Sequence, residues 1–321
     1  MGLAARIRPI AAFAVIVAAC SPGTPGTTPS PGAPPVPVIP IPATPAAGIT
    51  PLASGSGPGA IARYDFSVVL DYIGNRAQVN QLVEITNPGP DVWDRVVFHL
   101  PYDLQTDRFT LSRVSLVRDV DTAPRNIEVT DDGFLIVILP DPVGPNQTEL
   151  INIVYGLEAE QTGTILRRPF GDVGYSDRLV QFVNWYLRLV PYQPRRGWAR
   201  WEATDVGPPL FAEVADYVLR VQAPDDVIVA SGGPVSRVGN EWQFAVNNAR
   251  SIAFSASPEY VELTENAAGV TLLGYHLPEY GDEMQATLAA AAQTLALFAQ
   301  RYGPYPYSTL VFAQDAYLPS V

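Results

Sequence analysis

Two histidines are the first residues to test for metal chemistry. His99 stands in "FHLPYD" and His276 in "YHLPEY", and no HExxH string brings two imidazoles to one helical face. A hydrolytic zinc site needs two such imidazoles, a third ligand and an open coordination position for water. We therefore expect both histidines to be structural residues at strand ends, and we expect the chain as given to bind no metal.

Other catalytic constellations are equally incomplete in this sequence. No serine lies in a G-x-S-x-G elbow, and the sole cysteine, Cys20, is near the N-terminus. A nucleophilic triad therefore has no nucleophile in a suitable setting. The acidic pairs Asp119 and Asp121, and Asp131 and Asp132, lack the loop spacing of a calcium site, so we expect them to solvate turns. The sequence predicts no catalytic residue.

The stretch "QPRRGWARW" mixes cations with large rings: Arg195, Arg196, Trp198, Arg200 and Trp201. Guanidinium groups stack on indole rings, so such a mix can hold a ligand through cation–π contacts. It can equally be a loop in which the arginines cover the tryptophans. We interpret it as such a loop, and the ligand-binding alternative stays open.

The first twenty residues have the layout of a secretory signal. Arg6 and Arg8 precede an apolar run over 10–19, and small residues precede Cys20. The string "VAAC" before Ser21 resembles a bacterial lipoprotein signal, in which the cysteine is lipidated and becomes the mature N-terminus. This resemblance implies export and a lipid anchor on the outer face of a bacterial cell membrane. An ordinary cleaved signal with a chance cysteine is the alternative.

The next segment, 21–58, predicts a disordered stalk. It holds 12 prolines and 6 glycines and has no charge or aromatic ring. Such a composition has little apolar surface to bury against the entropy of ordering the chain. Its proline content favours extended conformations that would hold the following domain away from the membrane.

The rest of the chain is acidic and long enough to fold. The full sequence has 20 basic and 32 acidic residues and a net charge of −12. This balance argues against nucleic acid as a partner, because phosphate backbones attract basic surfaces. The part of the chain after the stalk, 60–321, is long enough to bury a large core in one or two domains.

Alternating apolar and polar residues recur between turn clusters from Tyr64 to Leu263. This period of two, with many β-branched and aromatic residues, is typical of strands with one buried face. We predict a mainly β fold whose first domain, 60–262, is an antiparallel, saddle-like β-sandwich. The clearest runs are "YDFSVVLDY", "QVNQLVEIT", "RVVFHL", "FLIVIL", "ELINIVY", "DYVLRVQ" and "WQFAV".

The pattern changes after Leu263. "VTLLGYH" predicts a strand, an apolar spacing of three and four predicts an amphipathic helix, and "YSTLVFA" predicts a second strand. Asp282 is the expected helix N-cap, and Gly303 before Pro304 is the expected stop. The sequence thus predicts that 263–321 opens an α/β domain. The helix face comprises Met284, Leu288, Ala291, Leu295, Phe298 and Tyr302.

The order of several segments resembles the membrane alanyl aminopeptidase family of zinc metallopeptidases, which includes leukotriene hydrolase. The segments are "QFVNWYLRLVPYQPRRGWARW", "EVADYVLRVQAPDDVIVASG", "ARSIAFSASPEY" and "FAQRYGPYPYSTLVF". Ser251 and Ile252 replace the aspartate and phenylalanine usual in that family. The resemblance implies a saddle-shaped β domain and only the start of a thermolysin-like catalytic domain. It also implies that the zinc-binding part would follow Val321, so the chain is expected to be a truncated front part.

The same resemblance suggests one substrate-binding residue. Family members hold the free amino end of a peptide through a glutamine or glutamate about ten residues before a central proline. Gln181 lies ten residues before Pro191, and "GY" at Gly174 and Tyr175 precedes it. An amide oxygen can accept a hydrogen bond from an ammonium group. The alternative is that Gln181 is only a polar residue on a strand edge.

Two functional hypotheses follow. In the first, the full-length protein is an exported zinc metallo-aminopeptidase-like hydrolase that removes N-terminal residues from peptides, and this chain alone is inactive. In the second, the chain is a non-catalytic, lipid-anchored, β-rich surface binding module. Exposed rings such as Trp198 and Trp201 would suit that second role.

Overall fold

The computed structural model describes residues 62–100, 107–117, 126–162, 173–200 and 213–316. Within these ranges the chain is mostly β, and no helix has both the length and the apolarity needed to cross a bilayer. The predicted lipoprotein signal, Cys20 and the stalk lie outside the described residues. So do Asp119, Asp121 and Trp201.

Strands make up most of the described chain, and one long helix follows them. The helix is α1 (Gly281–Tyr302). The strands, in chain order, are β1 (Ala62–Asp71), β2 (Arg76–Thr86), β3 (Trp93–His99), β4 (Phe109–Leu116), β5 (Ile127–Val129), β6 (Phe134–Val143), β7 (Thr148–Glu158), β8 (Glu160–Gln161), β9 (Val173–Tyr175), β10 (Val180–Phe182), β11 (Arg188–Leu189), β12 (Tyr192–Gln193), β13 (Gly197–Trp198), β14 (Ala215–Gln222), β15 (Ile228–Ser231), β16 (Val235–Val238), β17 (Glu241–Ala249), β18 (Phe254–Ser257), β19 (Val261–Ala267), β20 (Val270–His276) and β21 (Thr309–Ala313).

A seven-stranded sheet forms the base of the β-rich part, in the order β16-β17-β14-β1-β2-β7-β4. Burial alternates strictly along β1, so one face packs on the core and the other faces outward. All neighbouring pairs are antiparallel except β1 and β14, which run parallel with Ala62 opposite Ala215. Each of the seven apolar runs found in the sequence lies in a strand, which confirms the mainly β prediction.

Two smaller sheets share a core with the seven-stranded sheet. One has five strands in the order β15-β18-β10-β9-β8, and the other has four in the order β11-β3-β6-β5. Aromatic rings join the layers: Phe66 of β1 lies 4.8 Å from Trp185, and Trp185 lies 5.3 Å from Phe254 of β18. The rings are fully or almost fully buried, so the sheets form one continuous apolar core.

A buried glutamine holds the irregular segment between β10 and β11. Gln81 occupies a core-facing position of β2 and is fully buried. Its Nε2 donates to the Leu187 carbonyl at 2.7 Å, and its Oε1 accepts from the Leu187 N–H at 3.2 Å and from the Tyr155 hydroxyl at 3.0 Å. These bonds satisfy backbone groups that no sheet neighbour pairs, which is a requirement for a buried loop.

The last part of the described chain is a three-stranded sheet, β19-β20-β21, covered by α1. β20 and β21 run parallel, as a strand–helix–strand unit requires. The predicted helix and its stop at Gly303 are confirmed, and the Gly303 N–H bonds the Ala299 carbonyl. The division of the chain near residue 263 stays a prediction; β19, the first strand of this sheet, begins at Val261.

Two details of the helix prediction were wrong. Tyr280 is the N-cap, and Asp282 instead lies in the first turn, where its carboxylate complements the helix dipole. The predicted apolar face is buried only at Met284, Leu288 and Leu295. Phe298 and Tyr302 are 51% and 78% exposed, so the described residues leave the last turns of α1 largely uncovered on this face.

Candidate functional site

A groove of about 1000 Å³ lies between the five-stranded sheet and the end of the described chain. One wall is formed by 230–234, at the end of β15, and by 245–255, which joins β17 to β18. The opposite wall is formed by 305–311 and 313–315, around β21. The volume is at the upper end of the range for small-ligand clefts, so the groove can hold a short peptide or a similar molecule.

Gln181, the predicted substrate-binding residue, lines this groove. It lies in the middle of β10, opposite Ser255 of β18 on one side and Gly174 of β9 on the other. The side chain is almost completely buried, and its Oε1 accepts a hydrogen bond of 2.8 Å from the Ala316 N–H. Gln181 is thus on a central strand of its sheet, and the edge-strand alternative does not describe its position.

The segment that contacts Gln181 is held by a buried polar network that the sequence did not reveal. The Tyr260 hydroxyl donates to the Gln314 carbonyl at 2.6 Å and lies 3.0 Å from Ser255 Oγ. Gln314 also accepts from the Leu277 N–H through its Oε1, at 2.8 Å. Burial raises the pKa of Tyr260, so the phenol stays protonated and can donate. These bonds fix the chain after β21 against both β18 and β20.

A further hydrogen bond joins the two walls, from the Tyr307 hydroxyl to the Asn248 carbonyl at 2.8 Å. Among the described residues, the charged members of the groove lining are Arg250 and Asp315. The rest of the lining consists of apolar side chains, amides and hydroxyls. Such a surface can bind a neutral or zwitterionic ligand through hydrogen bonds and apolar contacts.

The two histidines lie in different sheets, at the ends of β3 and β20. Burial, followed by the nearby Arg188 charge, lowers the pKa of His99 to about 4, and its ring meets Phe134 edge-on at 5.4 Å. His276 is buried with its Nδ1 2.7 Å from the Leu277 carbonyl. In the described ranges no three metal-ligating side chains lie together. The residues present therefore do not fit a zinc ion.

The arginine- and tryptophan-rich stretch packs differently from the interpretation made above. Trp198 is half-buried and contacts Trp93 and Tyr192, with ring centroids 5.0 and 5.1 Å away. Arg200 lies over the ring of Phe134, 5.8 Å from its centroid. Trp198 is thus covered by aromatic neighbours, because the β12–β13 hairpin folds it back onto Trp93 of β3.

The Arg195 and Arg196 side chains are exposed at the turn of this hairpin. The acidic pair that the structure describes, Asp131 and Asp132, is exposed in the turn before β6, as predicted.

Among known proteins, this fold is matched by solved structures and not by sequence comparison. No family model matches the sequence, and no curated protein matches it. Among solved structures, an M1 zinc metallopeptidase from Deinococcus radiodurans matches with a TM-score of 0.52 and 15% identity over 81% of this chain. The likeness shows the fold. A mutant of a two-domain M1 zinc metallopeptidase bound to L-arginine matches with a TM-score of 0.51 and 14% identity over 80% of this chain.

The matched structures are longer than this chain. The alignment covers 57% of each of them, so the chain spans a little over half of their length. The described residues therefore have the fold of a β-rich portion of an M1 metallopeptidase. This agrees with the family resemblance seen in the segment order of the sequence.

Proposed function

We propose that this chain is the β-rich part of an exported zinc aminopeptidase-like protein that removes N-terminal residues from peptides. The observation that carries the proposal is the shared fold with M1 zinc metallopeptidases, one of which was solved with an amino acid bound. The groove with Gln181 in its wall supports it, because a buried amide is placed where a peptide end can be held. The substrates would be peptides with a free N-terminus.

The role proposed for this chain is binding. The Gln181 amide oxygen would accept a hydrogen bond from the ammonium group of a peptide, and an amide oxygen can accept two hydrogen bonds. Leaving a buried acceptor without a donor is unfavourable, and a blocked N-terminus has no ammonium group to donate. The site would therefore bind a peptide with a free amine more tightly than a blocked one.

Zinc and the groups that act with it would belong to residues other than those the structure describes, since these do not fit a metal. The chain alone is therefore proposed to be inactive. Purified protein incubated with zinc should not release product from amino-acid anilides. Chelator-sensitive hydrolysis by the wild-type chain would contradict this part of the proposal. An in-frame zinc-binding string in the DNA beyond codon 321 would support the function proposed for the whole protein.

Binding can be tested with two tripeptides that carry a dye at the C-terminus, one with a free amine and one acetylated. We expect fluorescence anisotropy to show at least about tenfold tighter binding of the free amine, the value of one good hydrogen bond to a charged group. Gln181→Leu should abolish the difference. Gln293→Leu, the same change at an exposed position of α1, should retain it. Equal affinities of the wild-type chain for both peptides would rule out amine recognition.

We further propose export and lipid attachment at Cys20, on the basis of the N-terminal sequence alone. Cells that express the chain and are grown with a labelled fatty acid should yield labelled protein in the membrane fraction. Cys20→Ser should remove the label. A wild-type protein that is exported but unlabelled would instead fit an ordinary cleaved signal.

A further inference from the structure

A buried arginine that has no acidic partner among the described residues marks a second site, away from the groove. Arg188 of β11 is 9% exposed. Its Nη2 donates to the Asn184 side-chain oxygen, and its guanidinium lies 5.1 Å from the centre of the Tyr186 ring. Its Nε has no hydrogen-bond partner among the described residues. Buried guanidinium groups are ordinarily paired with an anion, because removing a charge from water is costly.

A small cavity adjoins this arginine. It has a volume of about 10 Å³ and is lined by Arg188, Tyr64 of β1, Tyr217 of β14, Glu213 and Arg250, among others. This is room for one water-sized or ion-sized occupant.

The hydroxyls add a donor to this cavity. Tyr64 accepts a hydrogen bond from the Leu189 N–H at 2.9 Å, and no acceptor for its own hydrogen is present in the described part of the chain. Tyr217 donates to the Arg250 carbonyl at 3.2 Å. Burial raises the pKa of Tyr64, so it remains a neutral donor at physiological pH. Two residues that line the cavity thus have an unused donor among the described residues, the Arg188 Nε–H and the Tyr64 O–H.

We propose that Arg188 and Tyr64 bind a small monovalent anion, of the size of chloride, in this cavity. The anion would accept hydrogen bonds from both groups and neutralise the buried guanidinium. Glu213 is the carboxylate among the described lining residues, and no ion pair joins it to Arg188. The site would join β1, β11 and β14, so an anion would stabilise the folded state without taking part in peptide binding.

Halide dependence of stability is the first test. Thermal unfolding of the purified chain would be followed in sodium gluconate and in sodium chloride or bromide at equal ionic strength. We expect the halide to raise Tm by about 2–5 °C at ten times its Kd. Arg188→Met should remove this response, and Arg95→Met, at an exposed position of β3, should keep it. Equal Tm values in gluconate and halide would overturn the proposal, as would a response that survives in Arg188→Met.

Crystals of the wild-type chain soaked in bromide provide a second test that does not depend on a variant folding. An anomalous peak within about 3.5 Å of the Arg188 guanidinium would support the proposed anion site. A cavity that holds an ordered water and no bromide would overturn the proposal. Glu213→Gln tests whether the Glu213 carboxylate affects anion binding. If Glu213 is a competing negative charge, the variant binds halide several-fold more tightly; if Glu213 is itself the counter-ion, the wild-type chain shows no halide response and the proposal is wrong.

Discussion

Replacing Gln81 with leucine tests how the segment between β10 and β11 is held in place. Gln81→Leu keeps most of the side-chain volume but removes three hydrogen bonds, two to Leu187 and one to Tyr155. All the groups left behind are buried, so water cannot replace the lost partners. Each buried group left unpaired costs about 1–3 kcal/mol, and since they act on one segment we expect a total of about 3–6 kcal/mol.

The assay is urea unfolding followed by circular dichroism and by tryptophan fluorescence, to which Trp185 in the held segment contributes. We expect the free energy of unfolding to fall by the amount given above and Tm to fall by about 10–20 °C. Gln78→Leu is the matched control: it lies on the same strand, is only partly buried, and its side chain makes no hydrogen bond with the described residues, so its effect should stay within about 1 kcal/mol. A Gln81→Leu loss as small as that of the control would refute the reasoning.

The remaining predictions concern packing, pH and salt. Gly274→Ala would place a methyl group 2.5 Å from Met284 Sδ and should destabilise the chain by about 1–3 kcal/mol in urea unfolding, whereas Gly232→Ala, with no atom within 4 Å of the new methyl, should not. His99 has a folded-state pKa of about 4, below its unfolded value of about 6.5. The unfolded chain therefore binds a proton that the folded chain does not, and stability falls by about 2–3 kcal/mol as the pH drops from 7 to 4; His99→Leu should flatten this pH dependence, and an unchanged slope would contradict it. Arg178→Met removes contacts with Glu259 and Glu279, two exposed glutamates whose pKa values Arg178 lowers. The variant should therefore lose a small stabilisation that the wild-type chain has above the ordinary glutamate pKa. This difference between the two proteins should disappear at acidic pH and become smaller with added salt.

The strands were predictable because their pattern is local. The alternation in "YDFSVVLDY" follows from the geometry of a strand with one face packed on the core and the other facing outward, and the structure places this run in β1. The helix from Gly281 and its glycine stop are equally local. One core position carried a visible anomaly: Gln81 interrupts the apolar face of "QVNQLVEIT", and a polar residue at such a position indicates a buried hydrogen-bonding partner.

The groove could not be read from the sequence. Gln181 entered as a candidate only through family resemblance, and its neighbours across the groove come from 245–255 and 305–315, far away in the chain. Gln314 and Tyr260 have no local pattern that marks them. Their roles depend on which carbonyl or amide each reaches after folding.

The sequence by itself determined the mainly β character, the strand–helix–strand unit near the end and the acidic surface, because periodicity and composition are properties of neighbouring residues. Only the tertiary structure decided which strands are neighbours, including the parallel pairing of β1 with β14. It also decided that Arg188 is buried with no carboxylate partner in the described part of the chain, and that a groove opens beside Gln181. Burial and pairing depend on contacts between residues far apart in the chain, and no local pattern specifies those contacts.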